Sequence, residues 1–277
     1  MNRLKPETQA RVIRSLTEGC SVRSTERMTG VHRGSILRLM VRVGEACGRF
    51  MDREMRDLPC ARLELDEQWT FVAKKQRHLK SEDDERCMGD FFVWNAFDPD
   101  SKALPAFHVG LGKRGRADAH AFLGDLAPRL RNRVQISTDA LTAYVEAIDM
   151  HFGRDVDYAQ IVKSFEVEPI GPGRYAPPRV TRIERTPICG KPKEEAISTS
   201  GVERLHLLNR MRVRRMTRLV DGFSKKLENL KAALQVHYAT YNYVKPHKSL
   251  GGITPAMALG VTDRLWEIEE LVGLAAW

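Results

Sequence analysis

The sequence predicts an α/β protein in which a mixed β-sheet flanked by helices follows a small all-α domain. Three observations lead to this prediction. Apolar residues recur at helical spacing over residues 1–57, and three extended runs then follow one another over 62–110. Extended runs alternate with helical segments over 117–162. Neighbouring extended runs that are joined by a turn pair antiparallel, whereas runs separated by a helix pair parallel, so the sheet is expected to be mixed.

The predicted all-α domain, residues 1–57, contains helices over 7–18, 22–28 and 32–47. Gly30 suits a tight turn between the last two helices. This arrangement is typical of a helix-turn-helix, whose second helix enters the major groove of DNA. The residues aimed at DNA would be His32, Arg33, Ser35 and Arg38. Short three-helix units also occur in purely structural roles, but the local excess of Lys and Arg favours DNA binding.

A second domain is predicted over 58–262. Its strands are expected over 62–73, 90–97, 102–110, 133–138 and 156–162, and its helices over 117–131, 141–152, 202–220 and 223–243. Three consecutive strands followed by strands alternating with helices is the layout of the RNase H-like fold. Residues 166–199 are rich in Pro, Gly and Arg and predict a long irregular loop. A C-terminal segment, 263–277, carries a last helix over 263–274.

Composition narrows the class of partner. The 277 residues carry 45 Lys and Arg against 36 Asp and Glu, a formal charge of +9, which favours anionic partners such as nucleic acid. The five cysteines are odd in number and form no Cys-x-x-Cys pair, so neither a disulfide framework nor a structural zinc site is indicated. With no apolar leader and no run near the roughly 18 apolar residues of a membrane span, we expect a cytoplasmic protein without a membrane partner.

Asp66 is the first candidate functional residue, because it interrupts the apolar run 62–72. Counting by two along a strand, Glu64, Gln68 and Thr70 share its face. A buried Asp is costly without partners, and metal binding would account for it. The alternative is an edge strand with one wet face.

Asp139 follows the predicted strand 133–138 and precedes a helix. In that position it could simply cap the helix. Ligand-binding groups also collect at the carboxyl ends of strands in open α/β sheets, so capping and catalysis predict nearly the same location.

Glu203 opens a basic helix. The stretch Ser200 to Glu203 fits a capping box, which would make the glutamate structural. The helix behind it favours a functional role, since a basic face beside a carboxylate site would hold phosphates. Its basic residues are Arg204, Arg210, Arg212, Arg214, Arg215 and Arg218.

The three acids suggest a metal-dependent enzyme that acts on phosphodiesters. Carboxylate oxygens are preferred ligands of Mg²⁺, and two such ions can clamp the attacking and leaving oxygens of an in-line displacement. Acids so far apart in sequence would have to be gathered by folding.

Seven stretches in order carry a resemblance to a known family. They are LDEQWTFV at 65–72, STDALTAY at 137–144, TSGVER at 199–204, RRMTRL at 214–219, FSKKLEN at 223–229, YNYVKPHKSL at 241–250 and TPA at 254–256. Together they resemble the DDE transposases of bacterial insertion sequences and are most similar to the insertion-sequence-one type. The resemblance covers roughly residues 60–262, and the ordered set is more specific than any single stretch.

The resemblance implies that Asp66, Asp139 and Glu203 are the catalytic triad and hold two Mg²⁺ or Mn²⁺ ions. Arg210 matches a basic residue that contacts DNA in such enzymes, and the DNA-binding set would extend to Arg214, Arg215 and Arg218. The implied partners are the element's terminal inverted repeats and target DNA, bound by a homo-oligomer in the bacterial cytoplasm, at the nucleoid.

Two departures and two rival functions stay open. Relatives often carry an N-terminal zinc-binding segment, which the cysteine pattern here does not supply. Glu184, Glu194 and Glu195 lie in the predicted loop and are alternative third acids. The first rival function is an RNase H-like nuclease that never joins strands. The second is a DNA-binding regulator with an inactive catalytic domain.

Overall fold

A six-stranded mixed sheet forms the centre of the molecule. The computed structural model describes residues 4–166 and 179–276. The strands are β1 (Arg62–Val72), β2 (Gly89–Phe97), β3 (Ala106–Leu111), β4 (Val134–Thr138), β5 (Val156–Glu166) and β6 (Arg179–Cys189). Their order in the sheet is β3-β2-β1-β4-β5-β6. The pairs β1–β4 and β4–β5 are parallel, and the other three pairs are antiparallel. The predicted mixed sheet is therefore confirmed, with a strand order consistent with the RNase H-like fold.

Helices cover both faces of this sheet. They are α1 (Pro6–Thr17), α2 (Val22–Thr29), α3 (Arg33–Glu54), α4 (Arg116–Leu126), α5 (Thr142–Phe152), α6 (Ser200–Arg212), α7 (Leu227–Ala239), α8 (Pro255–Ala258) and α9 (Ile268–Gly273). On one face, the Trp94 ring of β2 packs against Phe122 of α4 and Tyr144 of α5. On the other face, Asn95 accepts a hydrogen bond from Tyr238 of α7. Within the described ranges, no helix is long and apolar enough to cross a membrane.

The three N-terminal helices form where the sequence predicts them. Gly30 ends α2 in the left-handed conformation, with φ 69°, as the turn before α3 requires. Helix α3 continues through Glu54, beyond its predicted end at residue 47. It packs along α7, and the Phe50 ring packs at a tilt against Tyr243 and Trp266, with ring centroids 4.9 and 4.7 Å away. The N-terminal and C-terminal helices thus share one hydrophobic core. DNA binding by α3 and a domain boundary near residue 57 stay predictions.

Gly44 sets the distance between α3 and α7. A Cβ atom at Gly44 would lie 2.6 Å from the Ala232 carbonyl oxygen and 2.7 Å from its Cα, and backbone atoms cannot move aside cheaply. We expect Gly44→Ala to destabilise the protein by about 2 kcal/mol, because overpacking outweighs the roughly 1 kcal/mol gained in helix propensity. Gly48→Ala, one turn further along, is the control. There the new Cβ meets the side-chain end of Gln235, which can move, so urea unfolding should find unchanged or higher stability. Equal effects of both substitutions would contradict this account.

The predicted irregular loop over 166–199 is wrong in part. Residues 179–189 form β6, which pairs antiparallel with β5, whereas 167–178 lie outside the described residues. Nearly all of β6 is exposed. Its strand conformation rests on backbone hydrogen bonds rather than on a buried face, so the sequence carries no clear alternation of apolar and polar residues there.

The predicted helix over 202–220 is also wrong at its end. Helix α6 stops at Arg212, because Val213 adopts an extended conformation with φ −104° and ψ 99°. The side chains of Val213 and Met216 are buried beyond that point. The predicted last helix likewise begins only at Ile268, where Glu267 and Glu270 form a capping box.

Candidate metal centre

Two of the predicted acids meet at the centre of the sheet. The register that pairs Glu64 of β1 with Ser137 of β4 puts Asp66 level with Asp139, which follows β4 directly. The neighbouring Glu67 joins them. One carboxylate oxygen from each of Asp66, Glu67 and Asp139 lies within 4.8 Å of the other two.

Asp66 lies on a central strand and not on an edge. Its Oδ1 accepts a hydrogen bond from the Glu67 backbone N–H at 2.8 Å. Burial and, to a smaller extent, the charges of Asp139 and Glu203 together raise the pKa of Asp66 to about 7. The alternative of a wet edge strand is wrong, because β1 is the third strand of six and its polar face is covered.

Glu67 is a member of the group that sequence reasoning missed. Alternation along β1 assigned it to the opposite face from Asp66, and it does face Tyr144 of α5, whose hydroxyl donates to Oε1. Arg114 lies 3.3 Å from Oε2. Burial raises the pKa of Glu67 to about 8, and the nearby Asp139 and Asp66 act in the same direction. Both of its oxygens therefore already have partners.

Asp139 does not cap α5. The residue before that helix is Leu141, and the Asp139 Oδ1 accepts from the Leu141 N–H at 3.0 Å, in a turn at the end of β4. The other oxygen lies 3.4 Å from Arg114. The capping alternative is therefore wrong, and the carboxylate stays at the strand end.

Glu203 lies near this group without joining it. Its carboxylate accepts from the Thr199 hydroxyl at 2.9 Å and from the Lys163 ammonium. Thr199, rather than Ser200, precedes α6, so the predicted capping box does not form. Among the described residues, only Asp66, Glu67 and Asp139 each offer a ligand atom within 4.8 Å of the other two. Glu203 is outside this group, but its charge contributes to the raised pKa of Asp66.

The polar face of β1 holds the helix that carries Glu203. Glu64 Oε2 accepts the Val202 N–H at 2.9 Å, at the first turn of α6. Gln68 Nε2 donates to the His206 carbonyl at 2.8 Å. Gly201 permits this close approach, since a Cβ there would lie 2.5 Å from the Phe97 ring. The strand that bears Asp66 therefore fixes the position of Glu203.

His206 is a second residue that the sequence analysis missed. Its Nε2 lies 3.1 Å from the Asn95 amide nitrogen, and the Asn95 oxygen accepts from Tyr238, so Nε2 is the acceptor. Nδ1 then carries the proton and faces Asp66 Oδ2 at 3.5 Å. Burial lowers the pKa of His206 to about 4, which keeps the ring neutral. No motif in the sequence signals this contact.

The alternative third acids lie elsewhere. Glu184 is on exposed β6, where it pairs with Arg182. Glu194 and Glu195 are exposed in a short turn before α6. Glu203 stays the candidate third acid, since the Glu64 contact with the Val202 N–H holds the start of α6 against β1.

The predicted DNA-contacting residues lie in two places. At the start of α3, His32 and Arg33 and Arg38 are exposed, while Ser35 is half-buried and accepts from Arg38. The His32 ring also accepts the Gly34 N–H at 3.1 Å and thereby caps α3.

The second set does not share one helix, because α6 ends at Arg212. Arg210 is on α6, where burial and the charge of Arg218 lower its pKa. Arg214 and Arg215 form a short turn after α6, and Arg218 follows them on the surface.

The residues fit a divalent cation. Burial and the repulsion between neighbouring carboxylates both raise the pKa values of Asp66 and Glu67, so the ionised group is costly without a counter-charge. Arg114 offsets part of this repulsion. A hard cation with oxygen ligands, such as Mg²⁺ or Mn²⁺, would offset it more strongly.

Arg114 competes with such a cation for Glu67 and Asp139. We expect Arg114→Gln to tighten Mn²⁺ binding about tenfold, which corresponds to about 1.4 kcal/mol of binding free energy. This is less than the Coulomb energy of one partly buried charge pair at the distance between Arg114 and Glu67. Arg116→Gln is the control, since Arg116 pairs with Glu146 outside the site. Calorimetric titration with Mn²⁺ would measure both. Weaker binding by Arg114→Gln would identify Arg114 as a support of the site instead of a competitor.

Comparisons with known proteins leave the family open. No protein-family model and no curated protein matches the chain. The chain is similar to a solved Mos1 strand transfer complex at 13% identity, covering 55% of this chain and 57% of that chain, with a TM-score of 0.24. It is similar to a piggyBac transposase synaptic complex with hairpin DNA at 11% identity, covering 99% and 71%, with a TM-score of 0.47. A Mos1 mariner paired-end complex with Mn matches at 14% identity, covering 54% and 58%, with a TM-score of 0.23. The chain thus spans less than two thirds of the Mos1 chains, and at this level of similarity any functional conclusion rests on the site.

Proposed function

We propose that the protein is a DNA transposase that uses Asp66, Asp139 and Glu203 for metal-dependent strand cleavage and strand transfer. One observation carries this proposal. Asp66 and Asp139 are far apart in the sequence, yet their carboxylate oxygens lie within 4.8 Å of each other at the central strands. The Glu203 charge adjoins them, and the order of the sequence motifs resembles the transposases of bacterial insertion sequences. By that resemblance the type is the insertion-sequence-one type, acting on nucleoid DNA in the cytoplasm.

The chain's own residues have distinct roles in this proposal. Asp66 and Asp139 would hold two Mg²⁺ or Mn²⁺ ions, with Glu203 on the second ion after leaving Lys163. Such ions activate water and stabilise the leaving oxygen of a phosphodiester. His206 would keep Asp66 oriented, and Arg114 would withdraw from the site.

The reaction would have two steps. Hydrolysis of a phosphodiester at the element end frees a 3′-hydroxyl. That hydroxyl then attacks target DNA and exchanges one phosphodiester for another. No covalent intermediate with the protein is needed.

DNA binding would be divided between the two basic sites. The helix-turn-helix residues His32, Arg33, Ser35 and Arg38 would contact the terminal inverted repeats. Arg210, Arg214, Arg215 and Arg218 would hold backbone phosphates. Because two ends must be brought together, a homo-oligomer would form on DNA.

The third catalytic acid is Glu203 in our proposal, whereas Glu67 is the third acid of the group whose oxygens lie within 4.8 Å of one another. Its two oxygens are already held by Tyr144 and Arg114, so we expect Glu67→Gln to lower cleavage only about 10- to 100-fold, as for a residue that supports the metal ligands. Glu203→Gln should cost more. The check is the cleavage rate of both variants in Mg²⁺, and a larger loss for Glu67→Gln would make Glu67 the third acid.

A strand-transfer assay tests the function. The substrate is a duplex made from the DNA that flanks the reading frame, with a pre-cut 3′-hydroxyl, and the target is a supercoiled plasmid. Joined products in Mg²⁺, and none in EDTA, are expected. Hydrolysis without joining would favour the nuclease, and binding without any cleavage would favour the regulator.

A further inference from the structure

A cavity of about 1000 Å³ lies between the N-terminal helices and the segment that joins α6 to α7. Its walls come from the α1–α2 turn, the first turns of α3, residues 212–215, residues 221–225 and one face of α7. Asp66, Asp139 and Glu203 are not among its lining residues, so it is separate from the candidate metal centre. A volume of this size has room for a nucleotide-sized group.

The charge of the cavity is strongly one-sided. One carboxylate, Asp221, faces six cations. The cations are Arg23, Arg33, Arg212, Arg214, Arg215 and Lys225. Arg212 is paired with Glu18. Across the ranges that the structure describes, the side-chain nitrogens of the other five have no carboxylate oxygen within 4.0 Å, although the Arg33 backbone N–H donates to Glu26.

Arg215 is half-buried, whereas the other four cations without a carboxylate partner are exposed. Its Nη1 lies 3.5 Å from the Ser224 hydroxyl, and its Nη2 lies 3.6 Å from the Met40 sulfur. Both contacts are long, and neither partner is ionised. Burial lowers the pKa of Arg215 to about 10, so the guanidinium is still charged at neutral pH. A partly buried cation without a counter-charge is costly unless an anion arrives to pair with it.

We propose that this cavity binds a phosphate group carried by a nucleic-acid strand, with Arg215 as its innermost contact. The planar guanidinium fork matches two phosphate oxygens. Val22 and Arg23, the first residues of α2, also line the cavity, and the N–H groups of a helix start favour an anion. The apolar wall from Leu37, Met40 and Phe223 limits competition from water and strengthens each charge contact.

The surroundings favour a strand over a free anion. Arg33 lines the cavity and is also the first residue of α3, next to exposed His32 and near exposed Arg38. A strand whose backbone follows the start of α3 would therefore reach Arg33 and then Arg215. This inference rests on the proposed function, because it assumes that DNA lies against α3.

Binding measurements in EDTA test the cavity without requiring catalysis. Inorganic phosphate and a fluorescent duplex from the DNA that flanks the reading frame are the two probes, with chloride at equal ionic strength as reference. Wild type should be thermally stabilised by phosphate beyond chloride, and Arg215→Gln should lose this shift. We expect Arg215→Gln to bind the duplex about tenfold more weakly, with a shallower dependence on salt.

Arg154→Gln is the matched control, because it removes the same charge from an exposed turn that does not line the cavity. It should change duplex affinity less than about twofold. Arg215→Gln removes an uncompensated charge, so the free variant should be at least as stable as wild type. Arg215→Lys keeps the charge without the fork and should restore only part of the affinity.

An equal phosphate shift in wild type and Arg215→Gln would overturn the proposal. Loss of that shift with unchanged duplex affinity would overturn the strand as the ligand and leave a site for free phosphate. If Arg215 proves essential for duplex binding in EDTA while wild type makes no joined product in Mg²⁺, the cavity is supported and the transposase function alone fails.

Discussion

Replacement of Asp66 by asparagine should reduce Mg²⁺-dependent end cleavage on the order of 10³-fold or more. Asparagine keeps the shape of the side chain and its hydrogen bond from the Glu67 N–H, but it loses the negative charge that a divalent cation requires. Asp66 lies at the centre of the group, on a strand fixed on both sides by β2 and β4. A neighbouring residue therefore cannot move into its place. Cleavage of labelled element ends in Mg²⁺ measures the effect.

Binding of the same ends should be unchanged in Asp66→Asn, since the predicted DNA contacts lie on α3 and beyond α6. Asp155→Asn is the matched control, because it makes the same chemical change at an exposed turn after α5. Cleavage by Asp66→Asn within about tenfold of wild type would remove Asp66 from the catalytic set.

The sequence alone predicts the sheet and two members of the site for a clear physical reason. Asp139 ends a short apolar run, and side chains at such strand ends converge in α/β sheets. Asp66 is a charge in a strand that burial makes expensive. Both features are local in the sequence, so they can be recognised without knowledge of the tertiary structure.

Glu67 and Arg114 could not be predicted in the same way. Strand alternation separates Glu67 from Asp66, and their carboxylates meet only because Tyr144 and Arg114 hold Glu67 near Asp139. Arg114 lies in the turn before α4, where no periodic pattern assigns it a direction. Contacts of this kind depend on the packing of α5 on the sheet.

The end of α6 shows a similar limit. Helix-favouring residues continue past Arg212, but burial of Val213 and Met216 takes the chain out of the helix. Residues that follow this departure, 213–215 and 221–225, help to line the cavity around Arg215.

The contribution of Asp66 to the stability of the metal-free protein should fall as pH rises from about 4 to about 8. The pKa of Asp66 is raised from 3.8 to about 7, so its carboxyl keeps a proton in the folded state that the unfolded chain has lost. The stability from Asp66 is fully present below about pH 4 and is lost as pH rises through about 7. Roughly three pKa units at about 1.4 kcal/mol each give a loss on the order of 4 kcal/mol. Glu67, whose pKa is raised to about 8, acts in the same direction.

Asp66→Asn isolates this contribution, because asparagine does not titrate. Carboxylates with lowered pKa values, such as Asp157 beside Arg133, stabilise the fold less at low pH. Because this effect is the same in both proteins, it cancels in the difference between their unfolding free energies. Urea unfolding in EDTA should therefore find the variant similar to wild type near pH 4 and more stable near pH 8. Mg²⁺ or Mn²⁺ should reverse the order at pH 8, since a cation that binds the ionised site stabilises only the wild type. A difference that stays constant with pH, or an equal response of both proteins to the metal, would show that Asp66 is not part of a strained carboxylate group built for a cation.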